Sequence, residues 1–320
     1  MKGEDATGMG KNILIYGDVF VDHIADDPSN MSFRTYLGGA TVNVAAGTAR
    51  LGAPVSFITV TGDDETSAFV RSELEKEGVD LSSAVLEPAK RVNGVYVHLT
   101  PDHDRVFANY ENDTPDIQVT TDNLQPDAFH RASVFHFCSG TMFHPTARNT
   151  TECAVRLAGE AGALLSYDAN IRPLRWDSED ECRRTTVSFL ASADIVKLTE
   201  DELTFMMEAE SVEEGLQHLA AYDIPVVLLT RGVNGTLAII GGERLDVPSV
   251  PVEAVDTTGA GDAFTAGILS RIHADGLPDE PEAWREIIRF GNRLGALCVT
   301  KPGALSAMPY AHELQEDVNE

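Results

Sequence analysis

The sequence is poor in positive charge, and in lysine above all. Its 320 residues include 51 Asp and Glu but only 24 Lys and Arg, which gives a formal net charge of -27 at pH 7. Such a surface repels nucleic acid and anionic membranes, so neither is an expected partner. The acidic residues are spread along the chain, which is typical of a surface that stays hydrated in concentrated salt. We therefore expect a cytoplasmic protein of a halophilic organism.

Few cysteines and no long apolar runs exclude further classes. The four cysteines lie far apart and form no C-x-x-C pair, so neither a disulfide framework nor a zinc knuckle is indicated. We expect buried thiols in a reducing compartment. No run of about 18 apolar residues occurs, and the first residues are polar and acidic, unlike a signal peptide. A membrane partner is therefore not expected.

Two common nucleotide-binding fingerprints are missing. The first apolar run ends at Gly17 and continues as Asp18-Val-Phe-Val-Asp-His23 without a G-x-G-x-x-G, which argues against a nicotinamide dehydrogenase. No G-x-x-x-x-G-K-[ST] occurs, which excludes a P-loop kinase. The nine histidines show no metal-ligand spacing.

The sequence does contain a regular alternation of short apolar runs and amphipathic stretches. This alternation predicts an α/β fold with a mostly parallel sheet. Predicted strands cover 12–17, 55–59, 79–81, 133–137, 164–168, 194–198, 226–230 and the extended segment 247–255. Predicted helices include one ending near 52 and those at 64–77, 145–161, 179–191, 200–207 and 212–222. Because ligands bind at the carboxyl ends of such strands, we expect Asp168, Lys197, Thr230 and Asp256 to converge on one crevice.

One segment interrupts the alternation. Residues 92–100 and 105–110 alternate across a Pro-Asp-His-Asp turn and predict a hairpin, which together with 19–25 and 33–37 would form a small separate sheet. Two strands alone cannot bury the apolar face made by Val95, Val97 and Leu99. The sheet is expected to be a lid over a ligand, a dimer surface, or both, and we expect a homodimer through the lids.

The stretch Asp256-Thr-Thr-Gly-Ala-Gly-Asp-Ala-Phe-Thr-Ala-Gly267 leads into an apolar-periodic helix that ends near Gly276. Small residues at 259–261 let a ligand approach the backbone, and the amides of the first helical turn bind anions such as phosphate. Asp262 would repel a resting phosphate, so a carboxylate there favours a base that takes a proton from a hydroxyl attacking phosphorus. The alternative is a glycine turn with an acidic helix cap.

A second glycine-containing stretch, Leu37-Gly-Gly-Ala-Thr-Val-Asn-Val-Ala45, leads into a helix of small residues. The glycine pair permits close approach of a ligand, and Asn43 can both donate to and accept from hydroxyl groups. A tightly packed helix start explains this stretch equally well.

With these motifs, the chain resembles the PfkB-type carbohydrate kinases of the ribokinase-like superfamily over nearly its full length. DTTGAGDAFTAG at 256–267 is similar to the C-terminal signature of that family, and LGGATVNVAAGTARLG at 37–52 resembles the N-terminal one. The resemblance implies one domain over 1–320 with a three-layer α/β/α fold and a β lid from about 19–37 and 92–112. It also implies transfer of the γ-phosphoryl group of ATP to a sugar hydroxyl, with Mg²⁺ and K⁺.

The resemblance assigns roles to individual positions. Asp262 matches the general base, and the anion hole is formed by the amides of Gly259, Ala260 and Gly261. Positions that match sugar contacts are Asp22, Gly38, Gly39, Asn43 and Arg172. Positions that match nucleotide contacts are Thr199, Thr230, Gly232 and Asn292. Glu202 matches a Mg²⁺ position that acts through water, and the monovalent-cation positions are Asp256, Thr258, Val299 and Gly303. Thr199 departs from the family, which has Asn in its N-x-x-E element.

The substrate is predicted from local strings. FHFCSG, AGALLSYDANIRPLRW, VKLTEDEL and VTKPGALSAMP resemble fructokinases more than ribokinases or nucleoside kinases. In the lid, Tyr110-Glu111-Asn112 replaces the Tyr-Arg-Asn common in fructokinases and 2-keto-3-deoxygluconate kinases, and Glu111 would repel a sugar acid. Fructose is therefore expected. A 2-keto-3-deoxygluconate kinase, a ribokinase or a nucleoside kinase are alternatives, and a non-catalytic sugar-binding protein is a further one, although it would not need Asp262.

Overall fold

The strands largely match the predicted positions. The computed structural model describes residues 10–100 and 105–316, so the predicted turn at 101–104 lies outside the described residues. The strands are β1 (Asn12–Tyr16), β2 (Phe20–Ala25), β3 (Phe33–Gly38), β4 (Val55–Ile58), β5 (Val60–Thr61), β6 (Val79–Asp80), β7 (Val85–Leu86), β8 (Asn93–Leu99), β9 (Arg105–Glu111), β10 (Ala132–Cys138), β11 (Leu164–Asp168), β12 (Ile195–Thr199), β13 (Val226–Thr230), β14 (Thr236–Ile240) and β15 (Glu243–Val247).

The helices also follow the predicted pattern. They are α1 (Ala40–Arg50), α2 (Glu65–Lys76), α3 (Pro126–Arg131), α4 (Pro145–Glu160), α5 (Glu179–Ser188), α6 (Glu200–Met207), α7 (Val212–Leu219), α8 (Ala260–Asp275), α9 (Pro281–Cys298) and α10 (Glu313–Glu316). Several begin at a side-chain cap. Asp64, Ser178, Thr199 and Ser211 each accept a hydrogen bond from the amide three residues on, which satisfies one of the unpaired donors of the first turn.

The large sheet has nine strands in the order β15-β14-β13-β12-β11-β10-β1-β4-β6. Only β14 runs against its neighbours: it pairs antiparallel with both β13 and β15, and the other strand pairs of this sheet are parallel. Alternate side chains enter different cores: Ile13 and Ile15 of β1 pack on one face, Leu14 and Tyr16 on the other. Burial on both faces explains why these strands are continuous apolar runs.

Helices cover both faces of this sheet. The core on one face includes buried residues of α1, α2, α8 and α9, and the core on the other includes buried residues of α3 to α7. The prediction of a three-layer α/β/α fold with a mostly parallel sheet is confirmed.

The order of the strands reverses between β1 and β10. From β1 the chain adds β4 and β6 on one side of the sheet, and from β10 it adds β11, β12 and β13 on the other. In open parallel sheets the crevice at such a reversal is the usual ligand site. Asp18 follows the end of β1, and Cys138 ends β10. Both residues therefore lie at this crevice.

The predicted small sheet is confirmed as a separate four-stranded sheet, in the order β3-β2-β8-β9. We call it the lid sheet. β2 and β3 follow the carboxyl end of β1 and β3 leads into α1, so the lid sheet is connected to the carboxyl-end side of the large sheet. Val95, Val97 and Leu99 are each half-buried. A further pair, β5 and β7, forms a small parallel sheet.

One strand prediction is wrong. β15 ends at Val247, and residues 248–255 belong to no strand, because Pro248 and Pro251 lack the amide hydrogen that a sheet ladder needs. The hairpin β14–β15 was not predicted. Its two-residue turn is Gly241-Gly242, with φ values of 55° and 86°, the left-handed conformation that such hairpin turns require.

The cysteine prediction needs one correction. Cys138, Cys182 and Cys298 are buried free thiols as expected, but Cys153 on α4 is only half-buried. It lies toward solvent, where its Sγ accepts a hydrogen bond of 3.4 Å from the exposed Arg156. Among the described residues, none of the helices has the length and apolar character needed to cross a bilayer.

The surface of this fold carries a large excess of negative charge. Many arginines of the described residues already contact a carboxylate, among them Arg34, Arg91, Arg148, Arg156, Arg183, Arg231, Arg244, Arg285 and Arg289. Because 51 acidic side chains face 24 basic ones, one-to-one pairing leaves 27 negative charges in excess. These charges repel one another through water unless salt screens them.

We predict that the melting temperature rises by several degrees when KCl is raised from about 0.05 M to about 2 M, because the Debye length falls from above 10 Å to about 3 Å or less. NaCl at equal ionic strength is the control, since screening does not distinguish the two cations. A melting temperature that is the same at both KCl concentrations would contradict the prediction.

Candidate active site

An ion pair lies at the carboxyl ends of β11 and β12. The parallel register aligns Asp168 with Lys197, and Lys197 Nζ contacts Asp168 Oδ1 at 3.1 Å and Oδ2 at 3.2 Å. Both side chains are buried. Burial alone would lower the pKa of Lys197, but Asp168 and Glu202 hold that pKa above its ordinary value. Lys197 is therefore a cation at neutral pH, and its convergence with Asp168 was predicted without a role for either.

Asp262 lies in the first turn of α8, where the positive end of the helix dipole is located. The preceding Gly259 has φ 80°, and a Cβ there would lie 2.6 Å from Ala304 Cβ, so only glycine fits. The Ala260 amide makes a long bond of 3.3 Å to Thr257 O. A Cβ at Gly261 would lie 3.1 Å from Lys197 Nζ. The predicted anion hole therefore has the Lys197 ammonium directly beside it.

Asn43 joins the two glycine-containing motifs. Its Nδ2 donates a hydrogen bond of 2.8 Å to Asp262 Oδ2, although the two residues are 219 positions apart. Asn43 Oδ1 is buried and has no hydrogen-bond partner among the described residues. Burial raises the pKa of Asp262 to about 6, the Asn43 bond opposes this shift, and Asp168 adds to it. The carboxyl group therefore changes its protonation state just below neutral pH.

Asp22, Gly38 and Gly39 lie together at the entry to α1. β2 and β3 pair so that a Cβ at Gly38 would lie 2.7 Å from Asp22 Oδ2. Gly39, with φ 108°, caps α1, and a Cβ there would lie 3.2 Å from Asp18 O. The structure therefore brings the predicted sugar contacts Asp22, Gly38, Gly39 and Asn43 to one end of α1.

Glu202 holds two pieces of backbone together. Its Oε2 accepts from the Thr199 amide and its Oε1 from the Ile171 amide, both at 2.8 Å. Thr199 Oγ1 accepts from the Glu202 amide at 3.2 Å, so the Thr199 hydroxyl caps α6. Arg172, next to Ile171, is exposed and donates to Ile171 O at 3.0 Å. It lies near enough to Asp262 to lower the pKa of that carboxyl.

The four residues predicted to hold a monovalent cation are brought together by two loops. Asp256 Oδ1 accepts from the Thr258 amide at 3.0 Å and from its hydroxyl at 2.6 Å, and Asp256 Oδ2 accepts from the Gly303 amide at 2.9 Å. Val299 O accepts from the Val255 and Asp256 amides at 2.7 and 3.2 Å. The loop before α8 is thereby tied to the loop after α9.

The remaining predicted nucleotide residues lie around the end of β13. Thr230 ends this strand, and the backbone beside Gly232, with φ 54°, is open. Asn292 on α9 is buried and fully engaged: its Oδ1 accepts from the Thr236 hydroxyl at 2.7 Å, and its Nδ2 donates to Val247 O and Pro248 O. Asn292 therefore fastens α9 to the hairpin β14–β15, and its place beside an adenine stays a prediction.

Sequence reasoning missed Asp18 and Arg175. Arg175 Nη2 lies 3.6 Å from Asp18 Oδ2 and donates a hydrogen bond of 3.2 Å to Tyr110 Oη on the lid sheet. The signal available was the arginine shortly after a strand ending in Asp168, but its partners lie far away in sequence.

The role given to Glu111 is wrong. Glu111 pairs with Gly94 while Tyr110 pairs with Val95, so the two side chains lie on opposite faces of the lid sheet. Tyr110 faces Arg175, and Glu111 lies on the face of His23, which it influences electrostatically. Repulsion from Glu111 therefore does not explain selection against a sugar acid.

Comparison with known proteins covers nearly the whole chain. Residues 11–311 match the model of the pfkB family carbohydrate kinase. The chain is 36% identical over 311 residues to a fructokinase of Klebsiella pneumoniae, covering 97% of this chain and 100% of that protein. A crystal structure of a fructokinase from Vibrio cholerae O395, in a fructose, ADP and calcium ion bound form, has a TM-score of 0.84 at 30% identity and covers 96% of this chain and 98% of its own.

A second similar structure is the aminoimidazole riboside kinase of Salmonella enterica, complexed with aminoimidazole riboside and an ATP analog. Its TM-score is 0.85 at 28% identity, and it covers 97% of this chain and 100% of its own. The family match, the similar structures and the two motifs joined by Asn43 and Asp262 all indicate the same family. This protein has the ribokinase-like fold, belongs to the pfkB family of carbohydrate kinases, and is a sugar kinase.

Proposed function

We propose that this sugar kinase is a fructokinase, which transfers the γ-phosphoryl group of ATP to a hydroxyl of fructose. The observation that carries the proposal is the Asp262 carboxylate in the first turn of α8, held at 2.8 Å by Asn43. Relatives that match over nearly the whole length are fructokinases, and a similar structure contains fructose and ADP. These matches support fructose over ribose, a nucleoside or 2-keto-3-deoxygluconate.

Asp262 is proposed as the general base. As the sugar hydroxyl attacks the γ-phosphorus, Asp262 takes its proton, the new O–P bond forms, and the bond to the ADP oxygen breaks. Without a base, the attacking oxygen would carry a positive charge. Asn43 orients the carboxylate, and its unpaired Oδ1 is suited to accept from a second sugar hydroxyl.

Two groups stabilise the negative charge that develops on the transferring phosphoryl oxygens. The amides of Gly259, Ala260 and Gly261 form the proposed anion hole at the helix N-terminus. Lys197 Nζ, beside Gly261, supplies a charged hydrogen-bond donor that Asp168 holds in place. Because Asp168 balances its charge, Lys197 acts here as a positioned donor next to the helix dipole.

ATP, Mg²⁺ and K⁺ are proposed as partners of the site. Each Glu202 oxygen accepts one amide and keeps acceptor capacity for a water, so Glu202 fits a Mg²⁺ held through water. Mg²⁺ would neutralise charge on the ATP phosphates. Oxygen atoms of Asp256, Thr258, Val299 and Gly303 lie in two adjoining loops and fit a K⁺ that steadies the loop before α8. Thr230, Gly232 and Asn292 are proposed to lie along the nucleotide.

The acidic surface supports a salt-rich cytoplasm as the working environment. The proposed function is tested by measuring ADP formation in molar KCl with fructose, ribose, 2-keto-3-deoxygluconate and a nucleoside. We expect the highest kcat/KM with fructose. A higher kcat/KM with any other member of this set would overturn the assignment as a fructokinase.

The same assay tests the base. Asp262→Asn should lower kcat by about 10²–10⁴-fold, because the proton has no acceptor, while ATP binding by calorimetry is retained. Asp275→Asn, an exposed carboxylate at the other end of α8, is the matched control and should stay within about twofold. Near-normal turnover in Asp262→Asn would show that Asp262 is not the base, and no turnover of any sugar by the wild type would favour a binding protein.

The pH dependence follows from the pKa of Asp262, which burial raises from 3.8 to about 6. The base must be ionised, so kcat/KM for the sugar should be level at neutral pH and fall about tenfold per pH unit below about 6. Stability has the opposite sign. Because the folded protein binds the extra proton between the two pKa values, the contribution of this group to stability falls as pH rises through that window.

The measurement is a profile of kcat/KM against pH, together with that of Asn43→Ala. Loss of the hydrogen bond that opposes the shift should move the acid limb of this variant to higher pH. A wild-type profile that stays flat from about pH 7 to about pH 5 would contradict ionisation of Asp262 as the requirement.

A homodimer through the lid sheets is proposed as the oligomeric state. β3 and β9 are the edges of this sheet, and Met31, Tyr36 and Val106 in and beside it are 87%, 39% and 48% exposed. Isologous contact would cover both the edges and these apolar side chains.

Light scattering in molar KCl should give a dimer mass, and Val106→Asp should give a monomer. Val233 is an equally apolar exposed residue outside the lid sheet, so the Val233→Asp variant should remain dimeric. A monomeric wild type at micromolar concentration would overturn the proposal.

A further inference from the structure

Asp18 lies at the crevice where the strand order reverses, directly after β1. Its side chain is only 16% exposed. Burial raises the pKa of Asp18, and the positive charges of Arg175 and Lys90 oppose that shift. Burial raises the pKa of the Cys138 thiol at the end of β10, and Asp18 lies close enough to add to that shift together with Asp168 and Asp262. Asp18 therefore belongs to the same group of crevice carboxylates as the proposed base.

Arg175 reaches Asp18 from the loop after β11 and is tightly enclosed. Its guanidinium lies 3.7 Å from the ring centre of Phe143, 5.0 Å from Phe20 and 5.7 Å from Tyr110. Such stacking covers the flat faces of the guanidinium, so that its in-plane N–H groups are left to form hydrogen bonds. One edge donates to Tyr110 Oη at 3.2 Å, and Asp18 lies 3.6 Å away.

These contacts join the lid sheet to the large sheet. Phe20 on β2 and Tyr110 on β9 belong to the lid sheet, whereas Asp18 and Phe143 belong to the loops after β1 and β10. Phe20 and Tyr110 also contact each other, with ring centres 6.0 Å apart. The register places Asp22, a proposed sugar contact, on the same face of the lid sheet as Tyr110. Arg175 therefore sits where the lid meets the sugar crevice.

Lys90, Arg175 and Asp18 set the charge balance at this point. Lys90 is committed to the carbonyls of Ile117 and Thr114, at 2.8 and 3.4 Å. Asp18 neutralises Arg175 at 3.6 Å, a separation that leaves the carboxylate oxygens capacity to accept hydroxyl hydrogens. A sugar carboxylate would meet the negative charge of Asp18 instead of a free guanidinium.

We propose that Arg175 is a substrate-positioning and specificity-determining residue, which holds Tyr110 of the lid and Asp18 of the crevice against a neutral polyhydroxy sugar. Asp18 accepts a sugar hydroxyl, and because its charge cancels that of Arg175, the pair disfavours sugar acids. This inference rests on the proposed sugar kinase activity and identifies the part of the site that selects the sugar.

The first test separates sugar binding from nucleotide binding. Arg175→Leu should raise the fructose KM by about ten- to hundredfold, the range for losing a charged hydrogen-bonding group, and leave the ATP KM within about twofold. Arg175→Lys, which keeps the charge without the planar fork, should fall between. Arg183→Leu is the matched control, because Arg183 is 20% exposed against 22% for Arg175, stacks on Phe205 and pairs with carboxylates outside the site.

An unchanged fructose KM in Arg175→Leu, or equal increases in the fructose and ATP KM, would overturn the inference. Tyr110→Phe removes only the hydroxyl and tests the lid contact should Arg175→Leu fail to fold: a raised fructose KM supports it, and an unchanged one overturns it. Absence of fructose turnover in the wild type would instead overturn the proposed function.

The second test reverses the charge balance. Asp18→Asn should weaken fructose binding and leave the positive charge of Arg175 without the balancing carboxylate. The ratio of kcat/KM for 2-keto-3-deoxygluconate to that for fructose should therefore rise at least about tenfold. In the Asp18→Asn/Arg175→Leu double variant that rise should disappear. A ratio that is unchanged in Asp18→Asn, or that rises equally in the double variant, would overturn the assigned role in specificity.

Discussion

The hydrogen bond between Asn43 and Asp262 is the constraint on which this site depends. It joins the first turn of α8 to α1, across 219 residues of sequence, at 2.8 Å. The two helices pack closely enough to maintain it, since a Cβ at Gly47 of α1 would lie 3.1 Å from Ala266 Cβ of α8. Small residues in both motifs therefore act indirectly: they permit the close helix approach that orients the Asp262 carboxylate, the proposed base.

The nature of that bond also affects the pKa of Asp262, the proposed base. Asp168 and Asp18 are each neutralised by a cation, Lys197 and Arg175, at 3.1 and 3.6 Å. Asp262 is held by a neutral amide, so burial dominates and raises its pKa to about 6. A direct salt bridge would lower that pKa and weaken the carboxylate as a proton acceptor. Asp262 thus differs from Asp168 and Asp18 in its hydrogen-bond partner, which is a neutral amide instead of a cation.

Local pattern was sufficient for much of the fold. Strand β11, helix α6 and strand β13 match their predicted bounds, because continuous apolar runs and capping residues specify buried parallel strands and helix starts. The hairpin at Gly241-Gly242 was missed although its turn signal was present, and the strand predicted to 255 was stopped by two prolines.

The site was less predictable than the fold. Glycine motifs located the two helix entries, but no local signal reveals that Arg175 meets Tyr110 and Asp18, which depend on how the lid sheet docks. The prediction for Glu111 is wrong because adjacent residues of a strand point to opposite faces, so Tyr110 and Glu111 do not share a surface.

The central claim, that Asn43 and Asp262 act as one unit, is tested most directly by a double-mutant cycle on kcat/KM for fructose with Asn43→Ala, Asp262→Ala and the double variant. We expect the double variant to lose little more than Asp262→Ala alone, a departure from additivity of at least about tenfold. Additive losses would contradict the account.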